Sequence, residues 1–498
     1  MAIKFLNSLP IPGLIILLAL TVLVQSATSR NLIQDRRNYF EDQVRLNLDL
    51  SPYKTSVSRR SIEFEPENII FHKPSGDPPL LKGPCRNSSY LVSISKDLNV
   101  TEFVKNITST FESESENKGE RLKSKIGYLY TGDVFHGISA CMSSKIYQEI
   151  IRNPNVVEIF PDTIMRILPI QDSIVETVET FNQPESKPVS SQGSKQSGDS
   201  FDEGYDVVVQ KNTAPWNLQR ISQRNKLNSN GNNPSLTNYS YTYQKPDGED
   251  TFVYILDTGA RETHQDFEGR VEMAAQFGGY ELRDGNGHGT HCAGIVAGGR
   301  WGVAKQSRVK AIKVLSDDGD GMSSDIIAGI QYIVERYRAS NNAPTVASLS
   351  LGGVKNSAMD RAVQSAINKG IHFVASAGNQ DEDACLSSPA SCQNAVVVAA
   401  SDIQDNRASY SNWGTCVDLF APGSNVTSAW FTSDRATARI SGTSMAAPHV
   451  AGLIAYHLSQ KNRTPKEMFD FLKSNANQNV IGMKQDTKAA DSTPNFLT

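Results

Sequence analysis

The sequence predicts an α/β protein: an open parallel sheet with helices on both faces, preceded by a small ferredoxin-like α+β domain. Three observations carry this. From residue 251 onward short apolar runs alternate with helical patterns, residues 90–160 read β-α-β-β-α-β, and a polar stretch separates the two regions. The 498 residues include 49 basic and 53 acidic side chains, a formal net charge of −4, and 39% apolar residues. That composition excludes a disordered polymer and a basic nucleic-acid scaffold, and nucleic acid is not an expected partner.

At the start, Lys4 precedes an apolar run over residues 11–24 that ends in Val24-Gln25-Ser26-Ala27, small residues at the spacing of a cleavage site. Residues 1–26 therefore read as a secretory signal peptide. An uncleaved anchor is the alternative, but the run is short for a bilayer, and no later segment reaches spanning length. Export gives meaning to six Asn-x-Ser/Thr sequons, at Asn87, Asn99, Asn106, Asn238, Asn425 and Asn462. Six cysteines are too few to act as a scaffold. Cys85 and Cys141 lie in the N-terminal part and Cys292, Cys385, Cys392 and Cys416 in the C-terminal part, and their number alone fixes no pairing.

A strand is expected over 90–94, then a helix over 101–111 with Phe103, Val104, Ile107 and Phe111 at helical spacing. Strands over 126–130 and 134–140, a helix over 145–152 and a strand over 156–160 complete the split unit. Between 171 and 211 the composition shifts to Ser, Gln, Glu, Pro and Gly, which reads as an exposed linker. The chain thus divides into a signal peptide (1–26), a segment over 27–172 holding the small domain at about 88–165, a polar linker (173–210) and a large domain (211–498). In the large domain, apolar runs at 251–256, 309–315, 346–351 and 371–376 alternate with helices over 324–339 and 357–369. Ligands of such sheets bind outside the carboxyl ends of the strands, and Asp257 and Asn379 stand just past two of these runs.

Asp257 emerges from the strand Phe252-Val253-Tyr254-Ile255-Leu256, where a buried carboxylate can orient an imidazole. It can also be a turn residue, or half of an aspartic-protease pair, but no second Asp-Thr-Gly exists in the chain. His288 lies in Asp284-Gly285-Asn286-Gly287-His288-Gly289-Thr290-His291-Cys292, whose glycines allow close backbone approach, and it suits a general base. His288 with His291 is a poor metal pair, having no glutamate between them on a glycine-rich start. Ser444 in Ile440-Ser441-Gly442-Thr443-Ser444-Met445-Ala446-Ala447-Pro448-His449 precedes a long apolar helix, so it is either an N-cap or a nucleophile beside a helix N-terminus.

Taken together, these three segments resemble the subtilisin-like serine proteases, close to the proteinase K branch. The resemblance covers residues 213–485. It includes Ala214-Pro215-Trp216-Asn217-Leu218, Thr263-His264-Gln265-Asp266-Phe267, Ala347-Ser348-Leu349-Ser350-Leu351-Gly352-Gly353 and Ala375-Ser376-Ala377-Gly378-Asn379. It implies a subtilisin-like fold and a serine endopeptidase of broad specificity acting on protein or peptide substrates. Ser444 would be the nucleophile, His288 the base, Asp257 the group fixing its tautomer and Asn379 the oxyanion amide. It also implies cleft edges at Gly319 and Gly321 and at Ser350, Leu351, Gly352 and Gly353, pairing with an extended substrate. Ser323 stands where relatives carry an aromatic residue, so a more open fourth subsite is expected.

The resemblance further implies a buried free thiol at Cys292, a Cys385–Cys416 disulfide with Cys392 left over, and a structural calcium held by Asp418 with the backbone carbonyls of Gln393 and Ala395. No cofactor is required for the chemistry. A Cys85–Cys141 bridge is a further expectation. The small domain resembles the inhibitor propeptide of this family, through Gly132-Asp133-Val134-Phe135-His136-Gly137 and Val156-Val157-Glu158-Ile159-Phe160-Pro161-Asp162. The chain is then a zymogen whose propeptide blocks its own cleft, cut near Ile170-Gln171, near Val209-Gln210, or at both. A monomer is expected, secreted or alternatively vacuolar or lysosomal. The alternative function is a protein that cuts itself once, stays bound to its propeptide and acts as a binding partner.

Overall fold

The computed structural model describes residues 88–115, 124–177, 187–188, 206–227, 233–235, 237–483 and 493–498. The signal-peptide segment, Cys85 and Asn87 lie outside the described residues. The first described strand, β1 (Ser89–Ile94), is followed by α1 (Val100–Ser115), where the Asn99 side chain accepts the N–H groups of Thr101 and Glu102 at 2.9 and 3.2 Å. Next come β2 (Lys125–Thr131), β3 (His136–Cys141), α2 (Ser144–Ile150) capped by Ser143, and β4 (Val156–Pro161). These strands form an antiparallel sheet in the order β2-β3-β1-β4. Val92, Phe103, Ile107, Ile138 and Ile146 fill the layer between this sheet and its helices.

The chain continues into β5 (Ile164–Ile167) and β6 (Gln171–Thr177). After undescribed residues, β7 (Val207–Ala214) pairs with β8 (Tyr239–Gln244), with α3 (Trp216–Ile221) between them. The span expected as a polar linker, 173–210, therefore has strand at both ends. The reason is pairing that composition does not reveal: β6 lies against a strand of the large domain, and β7 against β8.

The large sheet is built from β9 (Phe252–Asp257), β10 (Val271–Gln276), β11 (Arg308–Lys313), β13 (Thr345–Leu349), β15 (His372–Ser376), β17 (Val396–Ser401) and β18 (Leu419–Pro422). They run in the order β10-β11-β9-β13-β15-β17-β18, each pair parallel, and two short strands, Phe496–Leu497 and Asn477–Gln478, extend the sheet beyond β18 to nine strands, the last pair antiparallel. Every residue of β13, β15 and β17 is buried, as continuous apolar runs covered on two faces require. On one face pack α4 (His288–Ala297) and α7 (Thr443–Gln460), and on the other α5 (Ser323–Ala339) and α6 (Ser357–Ile367). Two edge strands, β12 (Asp320–Met322) and β14 (Leu351–Val354), the latter paired with the short β16 (Ser387–Ser388), and the hairpin β19 (Val426–Ala429) and β20 (Ala436–Ser441) flank the carboxyl end of this sheet. A last helix, α8 (Pro465–Asn475), starts on a Thr464/Glu467 capping box.

The small domain lays the outer face of its sheet on α5 and α6. Leu91, Tyr130, Phe135 and Phe160 join one apolar cluster with Ile326, Ile327, Ala362 and Val363. Around it Glu158 pairs with Arg361 at 2.6 Å, and Asp133 with Lys369 at 2.8 Å and with Arg338. No helix among the described residues is long and apolar enough to cross a membrane.

Candidate active site

Asp257 ends β9 and is fully buried; its Oδ1 accepts the N–H of Thr258 at 2.7 Å. His288 opens α4, and its Nδ1 lies 2.8 and 2.9 Å from the two Asp257 oxygens. With a carboxylate on Nδ1, that nitrogen carries the proton and Nε2 is the basic one. Nε2 has no hydrogen-bond partner among the described residues. The strand-to-helix approach is close: a Cβ on Gly289 would stand 2.1 Å from the Gly259 carbonyl oxygen, so only glycine fits. Asp284 ties this loop down, accepting from Thr258 Oγ1, the Gly287 N–H, and the Thr290 N–H and hydroxyl at 2.5–3.0 Å.

Ser444 is the second residue of α7, where backbone N–H groups lack intrahelical acceptors. Asn379 follows β15, and its Oδ1 accepts both the N–H and the hydroxyl of Thr443 at 2.9 and 2.8 Å. That arrangement turns Nδ2 outward to donate. The Ser444 hydroxyl donates to the Ser350 carbonyl at 3.2 Å rather than to His288. Ser350 Oγ in turn donates to the Ser444 carbonyl at 2.9 Å, joining the two segments.

The cleft between Gly319–Gly321 and Ser350–Gly353 is filled by β5. It runs antiparallel to both edges, with Gly321 opposite Met165 and Gly352 opposite Arg166, and the Ile167 N–H donates to the Gly319 carbonyl at 2.9 Å. Beyond it, Asn379 Nδ2 donates to the Pro169 carbonyl at 2.9 Å, and β6 pairs antiparallel with β20. The chain thus crosses the site as an extended peptide would, held on both sides by main-chain pairing.

Asp162, just before β5, is fully engaged at the start of α5: Ser323 Oγ and the Ser324 N–H donate to Oδ1 at 2.8 and 2.9 Å, and Ser89 Oγ donates to Oδ2 at 2.8 Å. Burial still raises its carboxyl pKa. Asp325 lies beside it, accepting from the Tyr128 hydroxyl at 2.8 Å and the Met322 N–H at 3.1 Å, and burial, reinforced by the charge of Asp162, pushes its carboxyl up to about 7.

Residues 248–497 match the model of the subtilase family, and residues 89–168 that of the peptidase inhibitor I9 family. The chain is 43% identical over 296 residues to Subtilisin-like protease 3 of Saccharomyces cerevisiae, covering 57% of this chain and 61% of that protein. It is 43% identical over 297 residues to Subtilisin-like serine protease Rho m 2.0101 of Rhodotorula mucilaginosa, covering 57% and 85%. The chain belongs to the subtilase family. Its match to Cerevisin of Saccharomyces cerevisiae, 45% identical over 267 residues, covers 52% of this chain and 41% of that protein, so the chain spans well under two thirds of some of these relatives. Among solved structures it resembles a cold-adapted subtilisin-like serine proteinase at 40% identity and TM-score 0.50, covering 57% of this chain and 97% of that one. The I9 match precedes the subtilase match in the chain, and the I9 domain packs on the cleft side.

The remaining expected site residues fall as follows. Cys385 and Cys416 are bonded to each other, and Cys392 is a buried free thiol whose Sγ lies 3.5 Å from the Asp360 carbonyl. Cys141 is disulfide-bonded, while Cys85, its expected partner, lies outside the described residues. Cys292 is free and buried behind the site, its Sγ 3.5 Å from the Ser444 carbonyl, and burial holds its thiol far above the ordinary range. His291 is committed elsewhere, its Nε2 meeting the Val426 and Ala438 carbonyls at 3.2 and 3.0 Å. Asn99, Asn106, Asn238 and Asn462 are exposed, and Asn425 is half-buried. Ser323, expected at a subsite edge, is covered here by the inhibitor domain, its Oγ accepting the Thr163 N–H at 3.1 Å and donating to Asp162 Oδ1 at 2.8 Å. Sequence reasoning missed Asp284, Asp325 and Pro169. The Asp284-Gly285-Asn286-Gly287 turn was the available signal for the first, and the proline beside an expected cut for the last.

Proposed function

We propose that this chain is the zymogen of a serine endopeptidase that hydrolyses peptide bonds through an acyl-enzyme. Ser444 attacks the substrate carbonyl, His288 Nε2 takes its proton and returns it to the leaving amine, and Asp257 fixes the imidazole tautomer. Asn379 Nδ2 and the Ser444 N–H stabilise the oxyanion. The single observation that carries this is the hydrogen bond from Asn379 Nδ2 to a carbonyl of the peptide lying in the cleft, beside a buried Asp257–His288 pair. Pairing of that peptide through main-chain atoms, with Gly319, Gly321, Leu351, Gly352 and Gly353 along its edges, supports a broad specificity. The reading includes export to the outside or to a vacuole or lysosome, glycosylation at the exposed sequons, and a monomeric enzyme.

Calcium is included as a structural ion. Asp418 accepts the Val397 N–H at 2.9 Å, and burial pushes its carboxyl up to about 6. A buried carboxylate with so little compensation would, together with the backbone carbonyls of Gln393 and Ala395 that the family resemblance implies, form an oxygen-only donor set that suits a hard cation.

A second reading has its own support: the inhibitor domain sits in the cleft and Ser444 is hydrogen-bonded to Ser350. A chain that remains so would act as a latched binding partner. Intact mass, peptide hydrolysis and labelling by a serine-reactive phosphonate, comparing wild type with Ser444→Ala, separate the two. Release of the N-terminal segment with labelling at Ser444 supports the protease; a bound propeptide with neither hydrolysis nor labelling supports the latch.

A further inference from the structure

The tail of the inhibitor domain crosses the cleft at Pro169, and both peptide bonds at the crossing belong to this residue. On one side, pairing of β5 with β14 ends at Ile167 opposite Leu351, and the Leu168 side chain lies where a Cβ on Gly352 would be 3.1 Å away. On the other, the Pro169 carbonyl receives Asn379 Nδ2 at 2.9 Å and the chain runs directly into β6, paired with β20 from Gln171 opposite Ser441 to Thr177 opposite Ala436. The strap is therefore anchored on both flanks of the reacting position.

We propose that Pro169 makes this strap a non-scissile inhibitor, so that the cut releasing the enzyme falls after Thr177 and not within the cleft-bound segment. The inference rests on the protease reading above. Cleaving Leu168–Pro169 would break a bond to a ring nitrogen with no N–H, requiring His288 to deliver its proton onto a tertiary amide nitrogen while the Pro169 carbonyl is held by Asn379 Nδ2 at 2.9 Å. Cleaving Pro169–Ile170 would need a residue before the bond that is held by its own N–H, and proline has none and a fixed φ. The local hydrogen bonding agrees with a non-productive complex. Ser444 Oγ spends its proton on the Ser350 carbonyl at 3.2 Å, and His288 Nε2 has no partner among the described residues, although a peptide carbonyl is already on Asn379. Flanking pairing also means that a single cut would leave both halves bound, favouring resealing over release.

The test is intact-mass and peptide mapping of the full-length secreted chain during maturation, for wild type, Pro169→Ala, Pro169→Ala with Ser444→Ala, and Ser444→Ala. Phosphonate labelling and hydrolysis of a small peptide are followed in parallel. The expected result is that wild type yields an N-terminal fragment extending past Thr177, uncut between 164 and 177. Pro169→Ala is cut at 168–169 or 169–170 at least tenfold faster, and the cut vanishes in the double variant. Wild-type cleavage at either bond overturns the inference while labelling of Ser444 leaves the protease reading standing. So does a Pro169→Ala chain that matures and labels but stays intact across 164–177, because something other than proline then protects the strap. Absence of any cut and any label in every form overturns the protease reading, and this inference with it.

Discussion

Thr443 has no reacting atom, yet its N–H and hydroxyl both donate to Asn379 Oδ1, and its Oγ accepts the Gly378 N–H at 3.1 Å. Removing the hydroxyl leaves Asn379 one anchor, so the amide loses orientation at the position proposed for the oxyanion. Thr443→Val is expected to lower kcat about tenfold with KM unchanged, since one hydrogen bond of roughly 1–1.5 kcal/mol is lost, and Thr443→Ser should restore it. Asn379→Ala removes the donor itself and should cost ~10²–10³-fold in kcat. Steady-state kinetics with a short peptide checks both, and equal rates for Asn379→Ala and wild type would exclude Asn379 from the oxyanion role. Gly289 makes a different demand: Gly289→Ala sets a Cβ against the Gly259 carbonyl, so the start of α4 must shift. A loss of about 1–3 kcal/mol is expected in chemical denaturation, together with lower activity because His288 heads the same turn.

Much of the element scale was legible in the sequence, because burial leaves an imprint on composition. The continuous apolar runs of β9, β13 and β15 announce a sheet covered on both faces, and Phe103, Val104 and Ile107 announce α1. What was not legible depends on partners distant in the chain. β6 is polar at five of its seven positions and its two apolar residues, Ile174 and Val175, are adjacent and exposed, so it has no periodic signature; it is a strand because β20 pairs with it. Nothing local to Ser323 reveals that Asp162 of the inhibitor domain reaches it. Asp257 and His288 could be marked as candidates, but their 2.8 Å contact across 31 residues follows from the strand order. At this scale Asp418 gives a test for calcium. Chelation should lower the Tm of the mature enzyme, added calcium should restore it, and Asp418→Asn should erase the difference; an unchanged Tm under chelation would remove calcium from the account.

The whole molecule joins two domains across a buried pair of carboxylates. Asp162 of the inhibitor domain and Asp325 of α5 are both buried, and the groups facing Asp325 are the hydroxyls of Tyr128 and Tyr280, the Met322 N–H and Asp162 itself. Tyr130, whose hydroxyl donates to the Ser324 carbonyl, closes the cluster, and no lysine or arginine figures among the charges that set the Asp325 pKa. Two negative charges so placed repel in a medium that screens little. In the complex Asp325 is held up at about 7, with burial the larger cause and Asp162 the next. Once the inhibitor domain leaves, Asp162 and the tyrosines of β2 leave with it, solvent reaches Asp325, and its carboxyl pKa falls. The complex therefore binds a proton more tightly than the free enzyme, and the sign follows from linkage. Affinity for the inhibitor domain is greatest in acid, falls by up to tenfold per pH unit as pH rises toward about 7, and levels off above that. Latency would hold in an acidic compartment and weaken on transfer to neutral surroundings. Inhibition of the mature enzyme by the isolated N-terminal fragment released during maturation, measured from pH 4.5 to 8.5, checks this. Asp325→Asn should flatten the profile and hold the fragment at neutral pH as tightly as wild type does in acid. A wild-type affinity that rises with pH, or an Asp325→Asn profile as steep as wild type, would assign the pH response to another group.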